Sequence, residues 1–204
     1  MKNIFTVLAF SIAAIGTTYA QGHKVQQLQI GETLPLQQVN MPSATNGKTI
    51  TLGTSATAKG LLVMFSCNTC PYVIKSQPRT KEIMKYAAEK GVGMVIINSN
   101  EAQSEDVDSY KEMEKYAKKQ GYTVPYVMDV HAQVADVFGA THTPEVYLFD
   151  ANKKLVYKGA MEDNPSEPAS STKMYLKDAI NSMLAQKSID PDKTKSIGCS
   201  IKRS

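Results

Sequence analysis

Apolar and polar residues along the 204-residue chain change period in a regular order. Val25 to Asn40 mixes short apolar alternation with a Gly and a Pro, and Asn46-Gly47 then marks a tight turn before the β-branched alternation KTITL. Together they read as an N-terminal hairpin. GLLVMF, Gly60 to Phe65, is a continuous apolar run of the kind a strand covered on both faces requires, and VGMVIINSN, Val92 to Asn100, is a second. Between them, residues 71–90 carry a helical period that Pro78 should kink or interrupt. Ser104, with Glu105 and Asp106 behind it, opens a charged helical stretch to Gln120, which Gly121 stops. VPYVMD reads as a short strand and HAQVADVFG as a short helix ending at Gly139. EVYLFD and KLVYKG form two strands around Asn152, a closing hairpin. After the loop MEDNPSEPASS, Thr172 to Gln186 predicts a final helix with Tyr175, Leu176, Ile180, Met183 and Leu184 turned inward.

Strands alternating with helices imply a largely parallel central sheet, and the late hairpin adds an antiparallel edge. The expected fold is therefore α/β: one domain with a central mixed sheet flanked by helices and an N-terminal β-hairpin extension. That domain spans residues 21–187. The last stretch, 188–204, has no clear period and carries Cys199.

The first twenty residues stand apart. Lys2 gives a positive start, Ile4 to Ile15 an apolar middle, and Thr18-Tyr19-Ala20 a small-residue cleavage site, the layout of a secretory signal peptide. The apolar run is shorter than the roughly 20 residues a bilayer span needs, and no cysteine stands at the cleavage site to take a lipid. The expected product is a periplasmic or secreted protein without stable membrane insertion, beginning near Gln21.

Charge narrows the partners. The chain has 23 basic and 19 acidic residues, a formal net charge of +4. The lysines are scattered, and pairs such as Lys118-Lys119 and Lys153-Lys154 lack neighbouring aromatics, so nucleic acid is not the expected partner. Export implies an oxidising compartment in which thiols pair, yet the cysteines number three. One is left over.

Two of the three lie in FSCNTCPYV. Cys67 follows a buried strand and precedes a helix whose first turn takes in Cys70 and Pro71. A sulfur near a helix N-terminus meets unpaired backbone N–H groups that favour negative charge. A thiolate there has its pKa lowered from about 8.5 to between about 3.5 and 7.5. Cys67 is thus read as the attacker and Cys70, one helical turn on, as the resolving thiol. A structural disulfide across so few residues would close almost no loop and stabilise little. A zinc site would need a further ligand pair, and His23, His131 and His142 show no ligand spacing. No cofactor is implied. A second element fits the redox reading: GATHTPEVYLFD sets Thr143-Pro144 directly before a strand. A cis bond there would make a tight turn that presents the Thr143 backbone to an incoming partner.

With these elements in this order, the chain resembles the thioredoxin-fold superfamily, and within it the peroxiredoxin-like (redoxin) branch. IGETLPL…NGKTITL resembles that branch's N-terminal hairpin, FSCNTCPYV its active-site segment, and FGATHTPEVYLFD its proline-bearing strand. EDNP and the terminal GCSIK resemble its tail. The resemblance implies a thiol–disulfide oxidoreductase acting on exported proteins and re-reduced by an upstream electron donor. Cys67 would be its nucleophile, Cys70 its resolving cysteine, Pro144 the cis-proline facing them and Thr143 its neighbour. Cys199 is the candidate third redox thiol, docked by Ile197 and Ile201; a free thiol on a loose tail is the other reading.

The departures matter too. Leu61 stands where thioredoxin proper has a buried Asp, and Thr69 where relatives often have a His. A neutral Thr helps a thiolate less than a cation would, which points to a pair less oxidising than a strong oxidase near −120 mV. Peroxiredoxins proper carry Pro and Thr seven and three residues before the reactive cysteine, where this chain has Gly60 and Met64. Thiol peroxidase activity, an antioxidant role, is therefore the runner-up. Another class is a copper-binding module, in which Cys67, Cys70 and His142 would hold Cu(I).

Overall fold

The computed structural model describes residues 26–204, so the expected signal peptide at 1–20 lies outside the described residues. The N-terminal hairpin is present but short, β1 (Met41–Pro42) against β2 (Thr49–Ile50). Gly47 turns it with a φ of 68°, and the Asn46 side chain accepts the Lys48 N–H. The expected strand KTITL ends early. Thr51 and Thr54 form a reciprocal capping box, which starts helix α1 (Leu52–Ser55) instead.

The apolar run then forms β3 (Leu61–Ser66). Pro78 interrupts the next helix as its missing N–H requires: α2 (Pro71–Lys75) stops at Ser76, and α3 (Gln77–Lys90) starts there with Pro78 in its first turn. After β4 (Gly93–Asn98) the expected helix from Ser104 is shorter. A 3₁₀ turn at Glu101–Gln103 and further turns to Ser109 precede α4 (Tyr110–Gln120). The reason is Asp108, which is drawn inward to accept three hydrogen bonds and so cannot lie on a solvated helix face. Next come β5 (Tyr126–Met128) and α5 (Gln133–Phe138). The helix begins only at Gln133 because His131 and Ala132 have positive φ, while Asp129 accepts the Val134 and Ala135 N–H groups at its start. Helices α4 and α5 end at Gly121 and Gly139, both left-handed. The two-residue β6 (His142–Thr143), β7 (Glu145–Phe149), β8 (Leu155–Gly159), α6 (Tyr175–Leu184) and β9 (Cys199–Ser200) complete the chain.

Five strands form one mixed sheet in the order β5-β4-β3-β7-β8. Strands β3, β4 and β5 are parallel, and β7 and β8 are antiparallel to their neighbours. Period-two alternation assigns the two faces. Leu62, Met64, Ile96 and Leu148 pack against α3, α4 and α6, with Ile83, Met84, Met113 and Ile180 opposite them. Leu61, Val63, Phe65, Ile97, Tyr147 and Phe149 pack against α5 and the N-terminal segment, through Phe138, Leu28, Leu34 and Met41. In α6, Leu176 and Ile180 are buried, while Tyr175, Met183 and Leu184 pack partly buried around them. Layers on both faces explain why β3 and β4 read as unbroken apolar runs. Among the described residues, no helix is long and apolar enough to cross a membrane.

The tail departs from the reading of a loose segment. Thr194 exchanges hydrogen bonds with the outer edge of β8, its N–H donating to the Lys158 carbonyl. The chain then crosses to the C-terminal end of the sheet, where β9 pairs antiparallel with β6. Ile201 is buried in the α5-side core, whereas Ile197 is exposed.

Candidate active site

The C-terminal end of β3, the start of α2 and the β6–β7 turn converge on one small apolar cluster. Cys67, Cys70 and Val73 are buried in it, with Tyr72 and Cys199 partly buried against them. Cys67 is 1% exposed and Cys70 4%. All three cysteines are free thiols. The Thr143–Pro144 peptide is cis. It brings the Thr143 hydroxyl to 3.4 Å from Cys67 Sγ and the Thr143 carbonyl oxygen to 3.3 Å from Cys70 Sγ. Glu145 braces this turn: Oε2 accepts the N–H groups of Thr141 and His142, and the Tyr147 hydroxyl donates to Oε1. Thus Cys67, Cys70, Thr143 and Pro144, chosen from separate parts of the sequence, meet in space. Cys199 joins them, its Sγ 2.7 Å from that of Cys70.

The electrostatics differ from the expectation. The helix begins where expected, with Cys70 the N-cap of α2 and Pro71 its first residue. The surroundings of the Cys70 sulfur favour its charged form, the neighbouring Cys67 foremost and Cys199 after it, against the opposing effect of burial. Its pKa falls to about 4. Cys67 moves the other way. It gives its hydrogen to Cys70, it is buried, and the Asp108 carboxylate repels a second negative charge. Cys199 is pushed up to about 11, first by burial and then by donating to Cys70 and facing its charge. Cys67 and Cys70 titrate as a pair, and the directions of the two shifts favour the first charge on Cys70 over Cys67.

Asp108 is the residue that sequence reasoning missed. It is 1% exposed, and its Oδ1 accepts the backbone N–H of Asn68, inside the cysteine loop, at 2.8 Å. The Asn98 and Asn100 side-chain amides donate to it as well, each at 2.8 Å. The Asn68 amide in turn donates to the Val107 carbonyl. The visible signal is INSN, a polar cluster directly after an apolar strand, whose buried amides require an acceptor.

His142 does not complete a copper site. It bonds Thr141 through Nδ1, and among the described residues no group of three or more His, Cys, Asp or Glu is arranged to hold a metal ion. At the positions where a peroxiredoxin carries Pro and Thr, Gly60 turns with a φ of 114° and Met64 is buried on the helix side of the sheet.

A thioredoxin-like sheet bearing a buried cysteine pair against a cis-proline turn defines the class, a thiol redox protein. The Redoxin family model matches residues 29–176, and the chain belongs to that family of thiol–disulfide oxidoreductases and peroxiredoxin-like proteins. A conserved protein of uncharacterised function from Geobacillus kaustophilus is 31% identical at a TM-score of 0.79, over 86% of this chain and 93% of that one. A hypothetical protein from Sinorhizobium meliloti 1021 is 29% identical at a TM-score of 0.77, over 88% of this chain and 97% of its own. A candidate protein disulfide isomerase from Bacteroides thetaiotaomicron shares the fold at 23% identity and a TM-score of 0.58, over 78% and 91%. No curated protein matches the chain.

Proposed function

We propose that the chain is an exported thiol–disulfide oxidoreductase that exchanges the Cys67–Cys70 dithiol with disulfides of exported proteins. One observation carries this reading: both sulfurs lie against the cis-proline turn, one at the Thr143 hydroxyl and the other at its carbonyl oxygen. Cys67 is the attacking thiol and Cys70 first acts as its base. The minority form, in which the proton has moved from Cys67 to Cys70, is the reactive one, and its Cys67 sulfur attacks a foreign disulfide. The foreign S–S bond breaks, a mixed disulfide forms, and one substrate sulfur leaves as thiolate. Cys70 passes its proton to that leaving sulfur and attacks Cys67 Sγ, which closes the Cys67–Cys70 disulfide and frees the reduced substrate. A dithiol reductant of the export compartment returns the pair to its reduced form.

Peroxide reduction fits less well. Met64 offers no hydroxyl where a peroxide would be bound, and Gly60 gives the preceding turn no proline. Export rests on the leader-like residues 1–20.

Dithiothreitol-driven reduction of insulin tests the reading. The purified protein is expected to accelerate it, and Cys67→Ser to abolish the acceleration. Full activity in the double variant Cys67→Ser/Cys70→Ser would overturn the assignment. Hydrogen peroxide consumption coupled to thiol oxidation would move it to a peroxidase.

A further inference from the structure

Nothing in the exchange chemistry just described uses Cys199, yet the fold spends many contacts to hold it in place. It lies 129 residues from Cys70 in sequence and 2.7 Å from it in space. The register of β9 on β6 sets Cys199 directly opposite Thr143, the residue before the cis-proline. Gly198 makes this approach feasible. A Cβ there would lie 2.1 Å from the Thr143 carbonyl oxygen, so no larger residue fits without moving the strand. On the far side, the Ile201 N–H donates to Thr141 O and the Lys202 N–H to Asn100 Oδ1, while the Ala102 N–H donates to Lys202 O. The thiol is anchored from both sides.

We propose that Cys199 is a third redox centre that takes over the disulfide of the catalytic pair and carries it toward the surface as a Cys70–Cys199 bond. The proposal rests on the exchange reading above for the source of the Cys67–Cys70 disulfide. Cys199 loses its proton to solvent, and its sulfur attacks Cys70 Sγ. The Cys67–Cys70 bond breaks, its electron pair leaves on Cys67, and Cys67 takes up a proton. A Cys70–Cys199 bond forms. The protein holds one disulfide before and after, so no further oxidant or reductant enters this step.

Two physical features favour that direction. Cys67 and Cys70 are buried, whereas Cys199 is only partly so, and a bond that includes it is easier for an external dithiol to attack. Burial, the hydrogen bond to Cys70 and the charge on Cys70 hold the Cys199 thiol protonated in the reduced protein. Oxidation of Cys70 removes the last two of these and leaves the Lys202 ammonium, which favours the Cys199 thiolate. Burial still opposes ionisation, so oxidation of the pair makes the third thiol easier to ionise than it is in the reduced protein.

Disulfide mapping tests this. The purified protein is oxidised with less than one equivalent of diamide, quenched in acid, alkylated and digested with trypsin. Cleavage at lysine releases residues 60–75 with both active-site cysteines and residues 196–202 with Cys199. The expected product is these two peptides cross-linked, with the alkyl label on Cys67. A cross-link with the label on Cys70, or Cys199 fully alkylated while Cys67–Cys70 alone is oxidised, overturns the proposal. Gly198→Val keeps the thiol but displaces its strand, and is expected to lose the cross-link while retaining the native circular dichroism spectrum. A cross-link undiminished in that folded variant also overturns it. If Gly198→Val does not fold, Cys67→Ser decides instead: diamide is expected to join Cys70 to Cys199 directly, and failure to do so counts against the proposal. The insulin assay separates the two readings, because inactivity there removes the exchange function whatever the map shows.

Discussion

The surroundings of the Cys70 sulfur favour a negative charge there, the neighbouring Cys67 foremost and Cys199 after it, with burial opposing. The sign of its pH dependence follows. With a pKa lowered to about 4, Cys70 is ionised at neutral pH and protonates only as the solution passes below that value. The thiolate ultraviolet absorbance of the reduced protein is expected to correspond to one sulfur at pH 7 and to fall with a midpoint near 4. In Cys70→Ser the acidic transition should vanish, and persistence of the full step would place the charge elsewhere. A second rise is expected near pH 11, where Cys199 ionises, read as the difference from the Cys199→Ser variant so that tyrosine absorbance cancels. The pair itself was legible from its spacing, but the owner of the charge was not. That turned on which sulfur the surroundings favour, because Cys70, with φ −62° and ψ 124°, is itself the N-cap of α2 while Cys67 lies three residues before it.

At the scale of elements, the turn that carries Asp108 fixes the floor of the site. Asp108→Ala would leave the Asn68 N–H and the Asn98 and Asn100 amides without their acceptor. Buried donors that lose a partner cost about 1–3 kcal/mol each, and partial repair by water brings the expected loss to about 3 kcal/mol. For a chain of this size that lowers the melting temperature by about 6–12 °C, a shift calorimetry reads directly. A change below about 2 °C would show that the turn does not brace the cysteine loop. The same turn marks the limit of what patterns reveal. Ser104, Glu105 and Asp106 carry the composition of a helix start, and a helix was expected through Asp108. The polar INSN cluster decided otherwise, since burial of its amides is satisfied only by a carboxylate from outside β4. Strands β3, β4, β7 and β8 were legible because their apolar runs report burial on two faces, which is a local property of the sequence. The strand expected over KTITL stops two residues early, at Ile50, because Thr51 and Thr54 cap each other, and their spacing of three competes with strand alternation.

For the whole molecule, the decisive contact joins the last residues of the chain to its middle, and no period along residues 188–204 announces it. A strand of two residues gives no alternation to read, and Thr194, Gly198 and Ile201 act singly, each by matching a feature far away in sequence. With β9 in place, the edge of β6 is paired, and the Cys67 and Cys70 sulfurs are buried. A chain ending at Gln186 tests how much of that cover the tail supplies. Its loss removes the buried Ile201 side chain, worth roughly 1.5–3 kcal/mol, together with the hydrogen bonds to Thr141, Asn100 and Lys158. It also opens Cys67 and Cys70 to solvent and removes one of the donors that hold the Cys70 charge. The truncated protein is therefore expected to melt at a lower temperature, and Cys67 and Cys70 to be alkylated faster by iodoacetamide at neutral pH. The Cys70 transition should also move upward from pH 4, because a thiolate with fewer donors is less favoured. Unchanged alkylation rates in a protein that still folds would mean that the cysteines are guarded by the sheet and α2 alone, and that the tail lies beside the site without closing it.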